Sequence, residues 1–79
     1  MTNLEKYNKV FLTNFKGITE EDLPNLKYRA VHAWESVGHM ELVSDLEEKF
    51  GVHFTTLEVL DFNTYQKGIE LLREHGVEI

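Results

Sequence analysis

Ser36 and His39 stand three residues apart, about one helical turn, behind Trp34 and Glu35 and ahead of an acidic amphipathic stretch ending at Gly51. Two chemistries suit a hydroxyl and an imidazole at this spacing. A catalytic serine would need His39 as base, a further group to orient that base, and donors for an oxyanion. No orienting acid is apparent, and a short chain encloses little substrate volume. The second chemistry is attachment. A serine at the mouth of a helix faces solvent and the partly positive end of the helix dipole, where a phosphate ester is stabilised. A plain helix cap is the structural role that competes with it. His39 then reads as a contact for that phosphate or as an ordinary exposed ring.

Other reactive groups are sparse. The chain has no cysteine, so thiolate chemistry, disulfides and cysteine metal sites are absent. His32, His39, His53 and His75 lack the spacing of a helical metal pair, and no metal site is expected.

The net charge of −6 is concentrated in residues 30–62, where seven carboxylates face Lys49 alone. An acidic centre repels nucleic acid and anionic lipid and attracts basic protein surfaces. A solvated helix face kept acidic for solubility is the plainer account. With 79 residues the chain is long enough for one domain, residues 1–79, and one small core. No stretch reaches the roughly 20 apolar residues of a membrane span, and no signal peptide is recognised at the start. A cytoplasmic monomer is the expectation.

The positioning elements follow from apolar spacing. Leu4, Tyr7, Phe11 and Phe15 draw a stripe that predicts a helix over 3–16, with Thr2 and Glu5 as a capping box and Gly17 as its stop. Residues 17–35 read as a long ordered connection. Thr19 to Asp22 can cap a single helical turn limited by Pro24, and Leu23, Leu26, Tyr28, Val31 and Trp34 pin the segment down. The second helix is predicted over 36–50, with Val37, Met40, Val43, Leu46 and Phe50 inward and Glu41, Asp45 and Glu48 outward. Like charges at this spacing repel, so helix stability alone does not explain the acidic stripe. A short third helix, Leu57 to Phe62, follows a Thr55 or Thr56 cap. A fourth, Tyr65 to His75, buries Tyr65, Ile69 and Leu72 and closes at Gly76. Strand-like alternation is missing. The expected fold is all-α: a small bundle of four helices, three longer and a short third, with a long ordered loop between the first two.

Over residues 34–51 the chain resembles the acyl carrier protein family. The family motif is Asp-Ser-Leu followed by a helix of the form x-x-V-E-L-V-x-x-L-E-E-x-F. Glu35-Ser36-Val37 and the run Gly38-His39-Met40-Glu41-Leu42-Val43-Ser44-Asp45-Leu46-Glu47-Glu48-Lys49-Phe50 match it without a gap. Helix spacing stays consistent over 52–76, and the match is weak over 1–30. Trp34 and the Gly38-His39-Met40 run look like carriers of specialised pathways.

The resemblance implies a non-catalytic carrier. Ser36 would bear 4′-phosphopantetheine, installed from coenzyme A by a phosphopantetheinyl transferase. The arm's thiol would hold acyl intermediates as thioesters for enzymes of fatty-acid, polyketide or related biosynthesis. That reading suits a chain without cysteine, because the sulfur arrives with the arm. Glu35, Val37, Met40, Glu41, Glu47 and Glu48 would dock partner enzymes through basic patches. Leu46, Phe50, Leu60, Phe62 and Ile69 would line any acyl pocket, and their bulk predicts short or externally held chains. Three departures stand out: Glu35 for the usual Asp, Val37 for Leu, and Gly38 where an acid is common. The Glu35 and Val37 departures permit a second reading, an unmodified carrier-like interaction module, and within the carrier reading an aminoacyl or peptidyl carrier is the alternative.

Overall fold

Reciprocal hydrogen bonds between Thr2 and Glu5, at 3.1 and 2.8 Å, start the first helix, α1, Asn3–Asn14. Thr55 and Glu58 repeat the device at 3.2 and 2.8 Å for the short α3, Thr56–Asp61. The Thr64 hydroxyl caps α4, Tyr65–Glu74, by accepting from the Lys67 amide at 3.0 Å. Between α1 and α3 runs α2, Ser36–Phe50, which ends at Gly51 in a left-handed conformation. The computed structural model describes all 79 residues and is an all-α bundle without strands.

Most boundaries match the sequence expectation to within one residue. The largest difference is α1, which ends two residues early. Phe15 leaves the helix in an extended conformation, with its ring buried in the core. Leu4, expected on the inner stripe, is exposed, and Val10 takes the buried position.

The long connection is ordered because its backbone finds partners. Glu20–Asn25 forms a 3-10 helix packed against α1 and α4, with Leu23 buried. The next residues pair with the start of α4. Tyr28 N–H donates to the Asn63 carbonyl at 2.8 Å, and Tyr65 N–H donates to the Leu26 carbonyl at 2.9 Å. Arg29 adopts a left-handed φ of 68°, and its N–H donates to the Trp34 carbonyl at 2.9 Å. This turn delivers the Trp34 side chain to the core.

Trp34 is fully buried there. Its indole stacks on Phe15 at 5.4 Å and meets Phe11 and Phe62 edge-on at 5.4 and 6.1 Å. Burying an aromatic of this size contributes roughly 1.5–3 kcal/mol, and well-oriented ring pairs add to that. Tyr7, Leu42, Leu46 and Leu72 complete the centre. The buried Tyr7 hydroxyl donates to the Tyr65 carbonyl at 2.7 Å, and burial pushes its pKa well above the usual value.

Gly68 makes room for this packing on α4. A Cβ there would lie 2.0 Å from the Tyr7 hydroxyl and 2.5 Å from the Phe62 ring. Gly68→Ala, favourable in an ordinary helix, is therefore expected to destabilise the protein by about 1–3 kcal/mol. Urea denaturation checks this, and an unchanged or higher midpoint would count against the tight contact.

The two capping-box glutamates also set an acid response. Hydrogen bonds from the Thr2 backbone and side chain hold the Glu5 carboxyl below the ordinary 4.5. The Thr55 backbone, and then His75 at 3.0 Å, do the same for Glu58. A folded-state pKa below the unfolded one stabilises fully above the unfolded value and is lost as pH falls through the folded value. The melting temperature is expected to fall as pH drops below about 4.5. Glu5→Gln with Glu58→Gln keeps an acceptor in each cap and should flatten that fall. An equally steep fall in the double variant would assign the acid lability to other carboxylates.

Candidate functional site

Ser36 is the first residue of α2 and is exposed. The residue before it, Glu35, occupies the cap position with φ −134° and makes no side-chain cap hydrogen bond. The first helical hydrogen bond of α2 runs from His39 N–H to the Glu35 carbonyl at 2.6 Å. The amides of Ser36, Val37 and Gly38 precede it, at the positive end of a 15-residue helix.

Two contacts place this helix start. The first is a close approach. A Cβ on Gly38 would lie 1.8 Å from the Ala33 carbonyl oxygen, so the bare Cα lets the connecting loop run against α2 immediately before Ser36. Where the resemblance made Gly38 a departure, the fold gives it a steric reason. The second contact is a buried hydrogen-bond chain. Trp34 Nε1–H donates to His39 Nδ1 at 3.0 Å, and His39 Nε2 lies 2.8 Å from the Val59 carbonyl oxygen. An indole only donates and a carbonyl only accepts, so the ring is the neutral tautomer protonated on Nε2.

His39 is thus buried rather than exposed, and it is not a phosphate contact. With Trp34 and Val59 occupying both nitrogens, neither is free to take a proton from Ser36. The ring belongs to the core: it stacks on Trp34 at 6.3 Å and meets Phe62 and Tyr28 edge-on.

His39 also corrects the inner face of α2. The buried positions are His39, Leu42, Val43 and Leu46, with Phe50 half-buried. Val37 and Met40, expected inside, are 68% and 55% exposed. Successive steps of three residues rotate a stripe by about 60° each, so Val37 ends about half a circle away from Leu46. Positions 39, 42, 43 and 46 hold a true helical face. Asp45, expected on the outer face, is partly covered and accepts from the Asn14 amide of α1 at 2.8 Å.

Of the residues assigned to docking, Glu35, Val37, Met40, Glu41 and Glu48 are exposed around and below Ser36. Glu47 is otherwise engaged. Its carboxylate accepts from the Phe54 amide at 2.8 Å and lies 3.2 Å from His53 Nδ1, which ties down the link between α2 and α3. Sequence reasoning missed a further part of this surface. Leu57 and Leu60, three residues apart on α3, are 74% and 72% exposed. The His39–Val59 bond ties α3 to the first turn of α2, and Leu60 lies in a shallow depression with His39. The signal of these leucines was present in the sequence: the short α3 carries more large apolar residues than one buried face can use.

The residues expected to line an acyl pocket do not converge. Leu46, Phe62 and Ile69 are packed into the core, and Phe50 borders a separate groove with Lys6, Lys49 and Val77. Leu60 and Phe62 alone share a pocket, a shallow one of about 320 Å³ with Tyr28, His39, Val59 and Asn63.

No protein-family profile, curated protein or solved structure matches the chain. No helix is long and apolar enough to cross a membrane, and no group of three or more His, Asp and Glu side chains is placed to hold a metal ion.

The Gly38 contact is testable. In an open helix Gly→Ala stabilises by up to about 1 kcal/mol. Here Gly38→Ala is expected to destabilise by about 1–3 kcal/mol and to displace residues 33–36. Denaturation and amide NMR would read both effects. A stabilised variant with unmoved loop resonances would refute the close approach.

Proposed function

We propose that this chain is an acyl carrier protein: a cytoplasmic, non-catalytic protein that bears 4′-phosphopantetheine on Ser36 and presents thioester-bound acyl groups to biosynthetic enzymes. The observation that carries the reading is the setting of Ser36. It is an exposed hydroxyl at an α2 start without a side-chain cap, where an attached phosphate would meet unpaired amides and the positive helix end. The motif resemblance over residues 34–51 supplies the chemistry.

Attachment needs little from the carrier itself. The Ser36 oxygen bonds to the phosphorus bearing the pantetheine of coenzyme A. The bond to the adenosine bisphosphate breaks, that group departs, and the serine proton passes to the transferase. With the arm's thiol acylated, docking makes each later reaction effectively intramolecular.

The exposed surface around Ser36 suits short-lived docking. Val37 and Met40 offer apolar anchors, and Glu35, Glu41 and Glu48 offer exposed carboxylates. Partners with basic patches around an apolar recess would associate quickly, dissociate readily and weaken with salt.

Intact mass spectrometry after incubation with coenzyme A and a broad-specificity transferase tests the reading. A gain of one phosphopantetheinyl group is expected, and Ser36→Ala should abolish it. Failure to gain mass with several transferases would favour the unmodified interaction module, which the same apolar surface could also serve.

A further inference from the structure

The end of α2 away from Ser36 carries the opposite charge. Lys49 lies near the last turn, a rise of about 20 Å along the helix from Ser36. With Lys6 and Lys9 of α1 it lines a groove of about 460 Å³ that also takes in Val10 and Thr13. Three cations in one groove are unexpected in a chain of net charge −6. The ion pairs of the fold are His53 with Glu47 and His75 with Glu58, so none of these lysines is paired. Asp45 is the groove's one carboxylate, and its Oδ2 accepts from the Asn14 amide at 2.8 Å. Where Lys6 and Lys49 border the neighbouring groove of Phe50 and Val77, the acid present is Glu78.

Helix stability does not explain this arrangement. Lys6 and Lys9 stand at i, i+3 on α1, where like charges repel. Both lie in the first two turns of α1, while its last turn, where the dipole favours a cation, has no basic residue. A groove lined by one sign of charge concentrates the field inside it and draws in the opposite sign. The size of the patch then selects among anions. Lysine ammoniums on flexible stems act as separate point charges and form no bidentate fork for a single phosphate. A nucleic acid or an anionic membrane extends beyond three cations and meets the exposed acids of α2. A second copy would set its own α2 acids in this groove head to tail, building an open string of molecules that each carry −6. A short acidic stretch of polypeptide matches the three cations and ends before that repulsion begins.

We propose that the groove of Lys6, Lys9 and Lys49 docks a short carboxylate-rich segment of a partner protein. The inference does not rest on a modified Ser36 and goes beyond the carrier reading. The groove leaves the Ser36 end of α2 free. A partner held here by an acidic tail would therefore meet that end at a raised effective concentration.

The test titrates the full chain with a blocked hexaglutamate peptide, and separately with inorganic phosphate, while NMR follows the backbone amides. Hexaglutamate is expected to move the amides of Lys6, Lys9, Thr13 and Lys49 and to leave those of Ser36 to Met40 in place. Raising the salt from about 0.01 M to about 0.3 M should release it. The three lysines lie outside the core, so replacing them leaves the fold intact. Lys6→Gln with Lys9→Gln and Lys49→Gln should weaken binding about tenfold, the combined effect of three exposed ion pairs. The charge-matched variant Lys16→Gln, Lys27→Gln and Lys67→Gln, all outside the groove, should bind as the parent chain does. Equal losses in the two variants would reduce the effect to net charge and overturn the groove. Groove amides that ignore the peptide at low salt would overturn it as well. Phosphate shifts as large as the peptide's would make this a simple anion site. Shifts that grow with protein concentration alone would make it a self-contact, and either result overturns the proposal.

Discussion

A histidine held between an indole donor and a carbonyl acceptor governs how this small bundle is assembled. Trp34 comes from the connecting loop, His39 from α2 and Val59 from α3, and the two bonds fasten all three in a buried setting. Each partner would be costly to bury alone, because an unpaired polar group away from water loses about 1–3 kcal/mol. Together they are satisfied, and no buried side-chain polar atom in the fold lacks a partner. A core of leucines at the same positions could pack in several registers. Directional bonds reduce that freedom, which matters in a short chain with little apolar area to bury.

The exposed face of α2 follows from this arrangement. Because His39, Leu42, Val43 and Leu46 occupy the inner face, Val37 and Met40 are rotated into solvent beside Ser36. Val59 turns its carbonyl to His39, which ties α3 to the first turn of α2, and Leu57 and Leu60 on the same short helix are left exposed. The exposed apolar surface is thus a consequence of how the core is satisfied. Val37, Met40, Leu57 and Leu60 are more than half exposed, which is the counterpart of a core already filled by other residues.

Electrostatics divides the helix in a similar way. Of the carboxylates on α2, Asp45 and Glu47 are used internally, by Asn14 and by the Phe54 amide. Glu41 and Glu48 remain at the surface, and with Glu35 they leave the acidic field to act at the Ser36 end and along one outer strip. The repulsion among these acids is tolerated because packing, more than intrinsic propensity, maintains the helix.

Much of this was legible in the chain. Threonine caps with a glutamate three residues on, glycine stops and apolar runs of helical length are local signals, and local backbone chemistry obeys them. They located four helices, the ordered connection and Ser36 at the head of α2. The inner face of α2 was not legible, since Val37 and Met40 are as apolar as Leu42 and Val43, and nothing local says which row has a partner. The burial of His39 was not legible because its donor, Trp34, and its acceptor, the Val59 carbonyl, lie five and twenty residues away. Gly38 and Gly68 looked like helix weaknesses until the Ala33 carbonyl and the Tyr7 and Phe62 side chains were found in the space a methyl would fill. Element type and the place of Ser36 at the head of α2 were therefore decided by sequence, through short-range hydrogen bonding and periodicity. Burial, the tautomer of His39 and the closing of the interior were decided by tertiary structure, because each depends on groups brought together from distant parts of the chain.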